Sequence, residues 1–198
     1  LKYLEIESII TSDKTIIEKA DAVILPGVGA FGNAMQNLGK LDLICPIKDF
    51  ISSGKPFMGI CLGLQVLFTE SEEFGNVKGL GIIEGNVKKF PSVINSKKVK
   101  VPQIAWNQIF CKNQDWETTE LNGISEGEFM YFVHSYYVKP EDNNDILTIT
   151  DYEGLEYCSS IKKNNIFACQ FHPEKSSIKG VKIYENFKKS IIGDKNER

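Results

Sequence analysis

One of the five cysteines, Cys61, stands in a setting built for reactivity. It lies in Gly59-Ile60-Cys61-Leu62-Gly63-Leu64-Gln65, with a glycine two residues before it and another two after. An extended apolar run, residues 56–60, enters the cysteine, and a run of helical character, residues 62–68, leaves it. Strand, tight turn and helix in that order form a nucleophile elbow, here with sulfur in place of a serine hydroxyl. The nucleophile of an elbow has a strained backbone, and small neighbours let strand and helix nearly touch. A helix starting at Leu62 aims free N–H groups and its positive dipole end at the sulfur, which favours the thiolate. The plainer reading is a small hydrophobic residue in a core. Taken alone, Cys61 leaves both readings open.

A nucleophilic cysteine needs a base to handle its proton and deliver it to the leaving group, and histidine is the usual choice. The chain has two histidines, His134 and His172. His172 ends an apolar strand-like run, residues 166–171, at a His172-Pro173-Glu174 corner. A carboxylate can fix the imidazole's tautomer and orientation, and proline restricts the backbone between the two side chains. By itself this corner reads more readily as a strand end followed by an exposed glutamate. Together with the cysteine elbow it favours catalysis. His134 is expected to pack beneath the site rather than to act as a second base.

Several elements must hold these residues. Residues 22–25 have the character of a buried parallel strand, followed by a glycine loop and a helix over 34–41. Residues 44–53 have helical periodicity and stop at Gly54, before Lys55-Pro56. Strand-like runs follow the elbow at 85–90, 99–106, 129–138, 146–150, 156–161 and 166–171. The last helix covers 177–190, with Val181, Tyr184, Phe187 and Ile191 on one face. Residues 112–127 are polar and predict a loop, and residues 1–4 and 5–10 predict the end of a helix and a strand. The pattern is α/β in one domain, 1–198, without repeats or linkers.

Composition agrees. A chain of 198 residues, 42% hydrophobic, suffices for one α/β domain with a sizeable core. A net charge of −3 without long basic runs argues against nucleic acid or anionic membrane as the main partner. No apolar stretch approaches the roughly 18 residues needed to span a bilayer, and no signal peptide is visible. The remaining cysteines, Cys45, Cys111, Cys158 and Cys169, are irregularly spaced, which fits a reducing cytoplasm better than disulfides or a metal site.

Three segments together resemble the class I (triad) glutamine amidotransferases: Gly59 to Gln65, the Pro26-Gly27-Val28-Gly29-Ala30-Phe31-Gly32 loop, and Phe171 to Ser176. Within that family the chain is similar to the glutaminase-subunit group of imidazole glycerol phosphate synthases, which Leu67 to Gly75 and residues 101–108 and 131–138 also fit. The resemblance implies a flavodoxin-like three-layer fold with a mostly parallel central sheet. It implies Cys61 as nucleophile, His172 as acid/base and Glu174 as its orienting partner. Gln65 and Glu73 correspond to positions that hold the α-amino and α-carboxylate end of glutamine, and Ser135 and Tyr136 line the same pocket. Gly27, Val28 and Gly29 correspond to the loop whose backbone N–H completes an oxyanion hole with that of Leu62. Glycines flanking Val28 would let this loop switch orientation.

The implied partners are L-glutamine and an ammonia-accepting (β/α)₈-barrel cyclase in a heterodimer, with no cofactor and no metal. The resemblance also implies a further strand before Leu1, so the N-terminal strand is expected to be missing from this sequence. Three other readings stand beside this one: a paralogue supplying ammonia to a surface-polysaccharide sugar, a cysteine hydrolase, and a non-enzymatic regulatory or scaffold subunit. The first is suggested by Gln103, Ala105 and residues 156–160, which depart slightly from the histidine-pathway pattern.

Overall fold

The computed structural model describes residues 1–196, with side chains to residue 193. A short 3₁₀ turn, Lys2–Leu4, leads to an extended segment and then to α1 (Lys14–Lys19), capped by the Asp13 carboxylate, which accepts from the Thr15 and Ile16 N–H groups. Strand β1 (Val23–Gly27) follows, then α2 (Phe31–Lys40) and α3 (Ile44–Ser52). Gly54, at φ 82°, ends α3 where the pattern predicts a stop. Strand β2 (Phe57–Cys61) is buried along its whole length and runs into α4 (Leu62–Gln65). The helix after Cys61 is thus one turn, not the seven residues expected: Phe68 already belongs to β3 (Phe68–Ser71), which runs into the sheet.

The β-rich second half contains β4 (Val77–Lys78), β5 (Ile83–Lys89), the small hairpin β6 (Val93–Ile94) and β7 (Lys97–Lys98), and β8 (Gln103–Cys111). Strands β9 (Glu128–His134) and β10 (Tyr136–Pro140) divide what reads in the sequence as one strand, breaking at Ser135. Then come β11 (Ile146–Tyr152), β12 (Leu155–Lys163), β13 (Ile166–Cys169) and the long α5 (Ser177–Asn196).

Eleven strands among the described residues form one mixed sheet. At one end of it β1, β2 and β13 are parallel, with β1 at the edge, and β3 is parallel to β5. Antiparallel pairs extend the sheet through β12, β10 and the β8–β9–β11 group. Alternate residues of the central strands enter opposite cores, as a period of two requires. Phe57, Ile166 and Ala168 pack toward α1, α2 and α3, whereas Met58, Ile60, Phe167 and Cys169 pack toward α5 through Ile183 and Phe187. This sandwich is the three-layer α/β arrangement expected.

Residues 5–10 do not form the expected strand. They join no strand ladder, and Ile9 and Ile10 are 70% and 105% exposed. An extended run without a ladder partner has its backbone groups met by water rather than by a neighbour.

Candidate active site

The carboxyl ends of three parallel strands meet at one point, the usual place for a site in an α/β sheet. Gly27 at the end of β1 is in register with Cys61 at the end of β2. Cys169 of β13 is in register with Ile60, so the chain three residues on from Cys169 delivers His172 beside Cys61. Parallel pairing therefore turns a sequence separation of over a hundred residues into adjacency.

Cys61 has φ 55° and ψ −108°, the strained nucleophile conformation expected of an elbow. The glycine after it is sterically obligatory: a Cβ on Gly63 would lie 1.8 Å from the Leu25 carbonyl oxygen. Helix α4 presses that closely on β1. Leu62 opens α4, so its N–H has no acceptor within the helix. Val28 is 80% exposed, and Gly29 has φ 97° with open space around it. Both line the cleft with Cys61 and Leu62.

His172 is buried, and its Nδ1 donates to Glu174 Oε1 at 2.7 Å. Its Nε2 is buried without an ordinary hydrogen-bond partner. The group acting most strongly on the ring is Cys61, followed by Glu174, and together they hold His172 up at about 9. The imidazolium is thereby favoured, the form that accompanies a thiolate. Burial pushes the half-exposed Glu174 carboxyl up, but the hydrogen bond to His172, a backbone hydrogen bond and the charges of His172 and Lys175 together outweigh it and leave the group below the usual range. The His172 backbone is clamped as well: its N–H donates to the Tyr131 carbonyl, and its carbonyl accepts from Ser176 Oγ, which in turn accepts from the Tyr131 N–H.

The cleft in front of Cys61 has a volume of about 300 Å³, and Gln65, Glu73, Ser135 and Tyr136 contribute to its wall with Pro102 and Val133. Of the residues expected from the sequence, Val28, Gly29, Cys61, Leu62, Gln65, Glu73, Ser135 and Tyr136 line this one space, while Gly27 and His172 adjoin Cys61 and Glu174 joins through His172. Two are engaged in ways the sequence did not reveal. Glu73 Oε2 accepts from the Phe31 N–H at 2.6 Å, capping α2, whose N-cap Ala30 has no side chain to do so. Gln65 turns its amide nitrogen inward, to the Tyr136 carbonyl at 3.0 Å and Gln170 Oε1 at 2.9 Å. A substrate can therefore meet only its Oε1, an acceptor suited to an ammonium rather than a carboxylate.

His134 lies in the wall but is no second base. Burial drives it down to about 4, its Nδ1 donates to the Tyr136 carbonyl at 2.8 Å, and Tyr157 lies 3.3 Å from its Nε2. Gln103 accepts from the Tyr157 hydroxyl at 3.0 Å, so two residues that suggested a sugar-nucleotide paralogue are partners inside one core. Tyr137 packs on Phe90 and Tyr157. Ser176 and Gln170 escaped the sequence reading. For Gln170 a signal existed, a lone polar residue inside the apolar 166–171 run, which when buried must find partners.

A second hollow, of about 440 Å³, is lined by Lys14, Glu18, Asp42 and Cys45 among others and touches no residue of the Cys61 cleft. Among the described residues no cluster of three or more His, Cys, Asp or Glu side chains is arranged to hold a metal. None of their helices is long and apolar enough to cross a membrane.

A cysteine elbow joined to a His-Glu pair at the carboxyl edge of a parallel sheet defines a class of acyl-transfer sites. The class I glutamine amidotransferase family model matches residues 2–190, and the chain belongs to that family. The finer similarity is to proteins named imidazole glycerol phosphate synthase subunit HisH. The one from Aquifex aeolicus is 50% identical over 183 residues, covering 92% of this chain and 84% of the relative. That from Pyrococcus furiosus is 47% identical over 184 residues, covering 91% and 87%. Among solved structures, one described as a glutamine amidotransferase superposes with a TM-score of 0.70 at 16% identity, covering 96% of this chain and 89% of the other. PurLQS from Thermotoga maritima gives a TM-score of 0.59 at 21% identity, covering 87% and 79%. These structural likenesses concern the fold.

Proposed function

We propose that this chain is the glutaminase subunit of an imidazole glycerol phosphate synthase, hydrolysing L-glutamine to L-glutamate and ammonia for histidine biosynthesis. The single observation that carries the chemistry is the convergence of Cys61, His172 and Glu174 at the ends of β2 and β13. The Cys61 thiolate attacks the side-chain carbonyl carbon of glutamine. Negative charge collects on the carbonyl oxygen, where the Leu62 N–H and an N–H of the Gly27-Val28-Gly29 loop stabilise it. Imidazolium Nε2 then protonates the leaving nitrogen as the C–N bond breaks, releasing ammonia and leaving a thioester. Neutral His172 next takes a proton from water, whose oxygen attacks the thioester, and glutamate and the thiolate are released. Glu174 holds the ring in the tautomer both steps need.

The substrate's α-ammonium sits against Gln65 Oε1 and Glu73, and Ser135 and Tyr136 complete the socket. The Val28-Gly29 loop is the mobile part of the oxyanion hole. Gly29→Pro, which cannot adopt φ 97°, is expected to abolish stimulated turnover while leaving Cys61 open to alkylation.

Ammonia at neutral pH is mostly protonated in bulk water, so it must pass directly to an acceptor. A face suited to receiving the cyclase barrel adjoins the cleft. The register of β8 with β9 places Ile104 beside Val133, Trp106 beside Tyr131 and Gln108 beside Phe129, on one side of the hairpin. Ile104, Trp106 and Phe129 are each about half exposed, and Val133 reaches the cleft itself. A contiguous apolar strip of this kind marks a protein interface. The deciding experiment measures glutamate release with and without a cyclase barrel and its nucleotide ligand. Strong stimulation supports the assignment; alkylatable Cys61 with no stimulation by this partner would point to another acceptor.

A further inference from the structure

Gln170 is completely buried in the β13–His172 connection and is not one of the triad or socket residues named above. Its Nε2 lies 3.5 Å from Cys61 Sγ, within range of an N–H···S hydrogen bond. Its Oε1 accepts from Gln65 Nε2 at 2.9 Å. The Tyr136 carbonyl accepts from both Gln65 Nε2 at 3.0 Å and His134 Nδ1 at 2.8 Å.

The direction of every amide in this chain is determined by its far end. A backbone carbonyl can only accept, so Gln65 must present its NH₂ to Tyr136. The second hydrogen of that NH₂ points to Gln170, which must therefore present its oxygen to Gln65. The Gln170 NH₂ is left facing the sulfur. Turning either amide over would set oxygen against oxygen or nitrogen against nitrogen in a buried site, an arrangement that leaves polar groups unsatisfied.

We infer that Gln170 is a fourth catalytic side chain of the glutaminase site, donating an N–H to Cys61 Sγ, with Gln65 and the Tyr136 carbonyl as the positioning groups that aim it. The inference rests on Cys61 being the nucleophile. An N–H donor is bound more strongly by sulfur as an anion than as a thiol or thioester. The bond therefore sustains the attacking thiolate and stabilises the same anion when it departs from the thioester. It also places Gln65 in two tasks at once, with its oxygen toward the substrate ammonium and its nitrogen toward the group that holds the nucleophile.

The test is the pH dependence of Cys61 alkylation by iodoacetamide in the full chain, which needs neither glutamine nor a partner. Gln170→Met keeps the length of the side chain and removes the donor. Its alkylation curve is expected to move to higher pH by about one unit, roughly tenfold slower on the rising limb and with a similar plateau at high pH. Gln65→Met is expected to move the curve in the same direction by less. A folded Gln170→Met protein whose curve superposes on the parent's would overturn the inference, because a merely structural role leaves that curve in place. A second measurement needs no variant: the Gln170 side-chain NH₂ resonances of the parent chain should shift as Cys61 deprotonates and again on alkylation, and unmoved resonances would equally overturn it. A parent chain whose Cys61 resists alkylation at every pH would instead remove the nucleophile assignment itself.

Discussion

The two histidines, His134 in the wall of the cleft and His172 beside Cys61, expose only 6% and 4% of their surface and have opposite electrostatic fates. His172, at the corner after β13, is held at about 9 by Cys61 and Glu174. His134, at the end of β9, is driven down to about 4 among Phe90, Phe132 and Tyr157, with a backbone carbonyl as its main polar partner. Burial disfavours the charged form at both. What separates them is the presence of groups that become negative beside one and of neutral dipoles and rings beside the other. The first region is arranged to move a proton. The second holds its proton on one nitrogen so that the Tyr136 carbonyl, and with it the Gln65 amide, stays in place.

The sharpest way to break this contrast is to exchange the losses. Cys61→Ala and His172→Gln should each lower partner-stimulated glutamate release by about 10⁴-fold or more, since members of such a unit fail together. His134→Gln should lose far less, and equal losses from both histidine variants would end the distinction. Next in size is the elbow. Gly63→Ala drives a methyl group into the Leu25 carbonyl and is expected to destabilise the chain by more than about 4 kcal/mol, read as a lowered denaturant midpoint at unchanged slope.

The pH response divides the regions again. Because the folded-state value of His134 is depressed from 6.5 to about 4, the unfolded chain takes up a proton first as pH falls. Stability should therefore be lost between pH 6.5 and 4, by on the order of 3 kcal/mol from this group, and His134→Gln should flatten that fall in urea melts. His172 has the reverse sign. Its raised value contributes stability that is complete below pH 6.5 and disappears as pH rises through about 9. That loss should be the smallest of the set because the Glu174 carboxylate is 46% exposed, and Cys61→Ala should reduce it further.

Much of this is legible in the sequence. Helices α2, α3 and α5 and most strands follow from apolar periodicity, and the Cys61 and His172 segments carry their chemistry in residue type and spacing. Failures occurred where an element depends on a partner. Residues 5–10 have a strand's composition but no ladder to join. The helix after Cys61 was expected to run to Phe68, yet β3 draws that residue into the sheet beside β5. The hydrogen bond between Gln103 and Tyr157, 54 residues apart, likewise could not be read from either segment alone.

Local sequence by itself determined the elbow, because the glycines around Cys61 and the strand-to-helix switch are short-range properties of the backbone. It likewise determined the His172-Pro173-Glu174 corner, whose hydrogen bond spans two residues. Tertiary structure alone decided that β13 lies beside β2 in parallel, which is what sets His172 against Cys61. It also decided the direction of the Gln65 and Gln170 amides and the difference between the two histidines. An amide or imidazole is the same group wherever it stands in a sequence; its charge and orientation come from the dipoles and ions packed around it, and those arrive from distant parts of the chain.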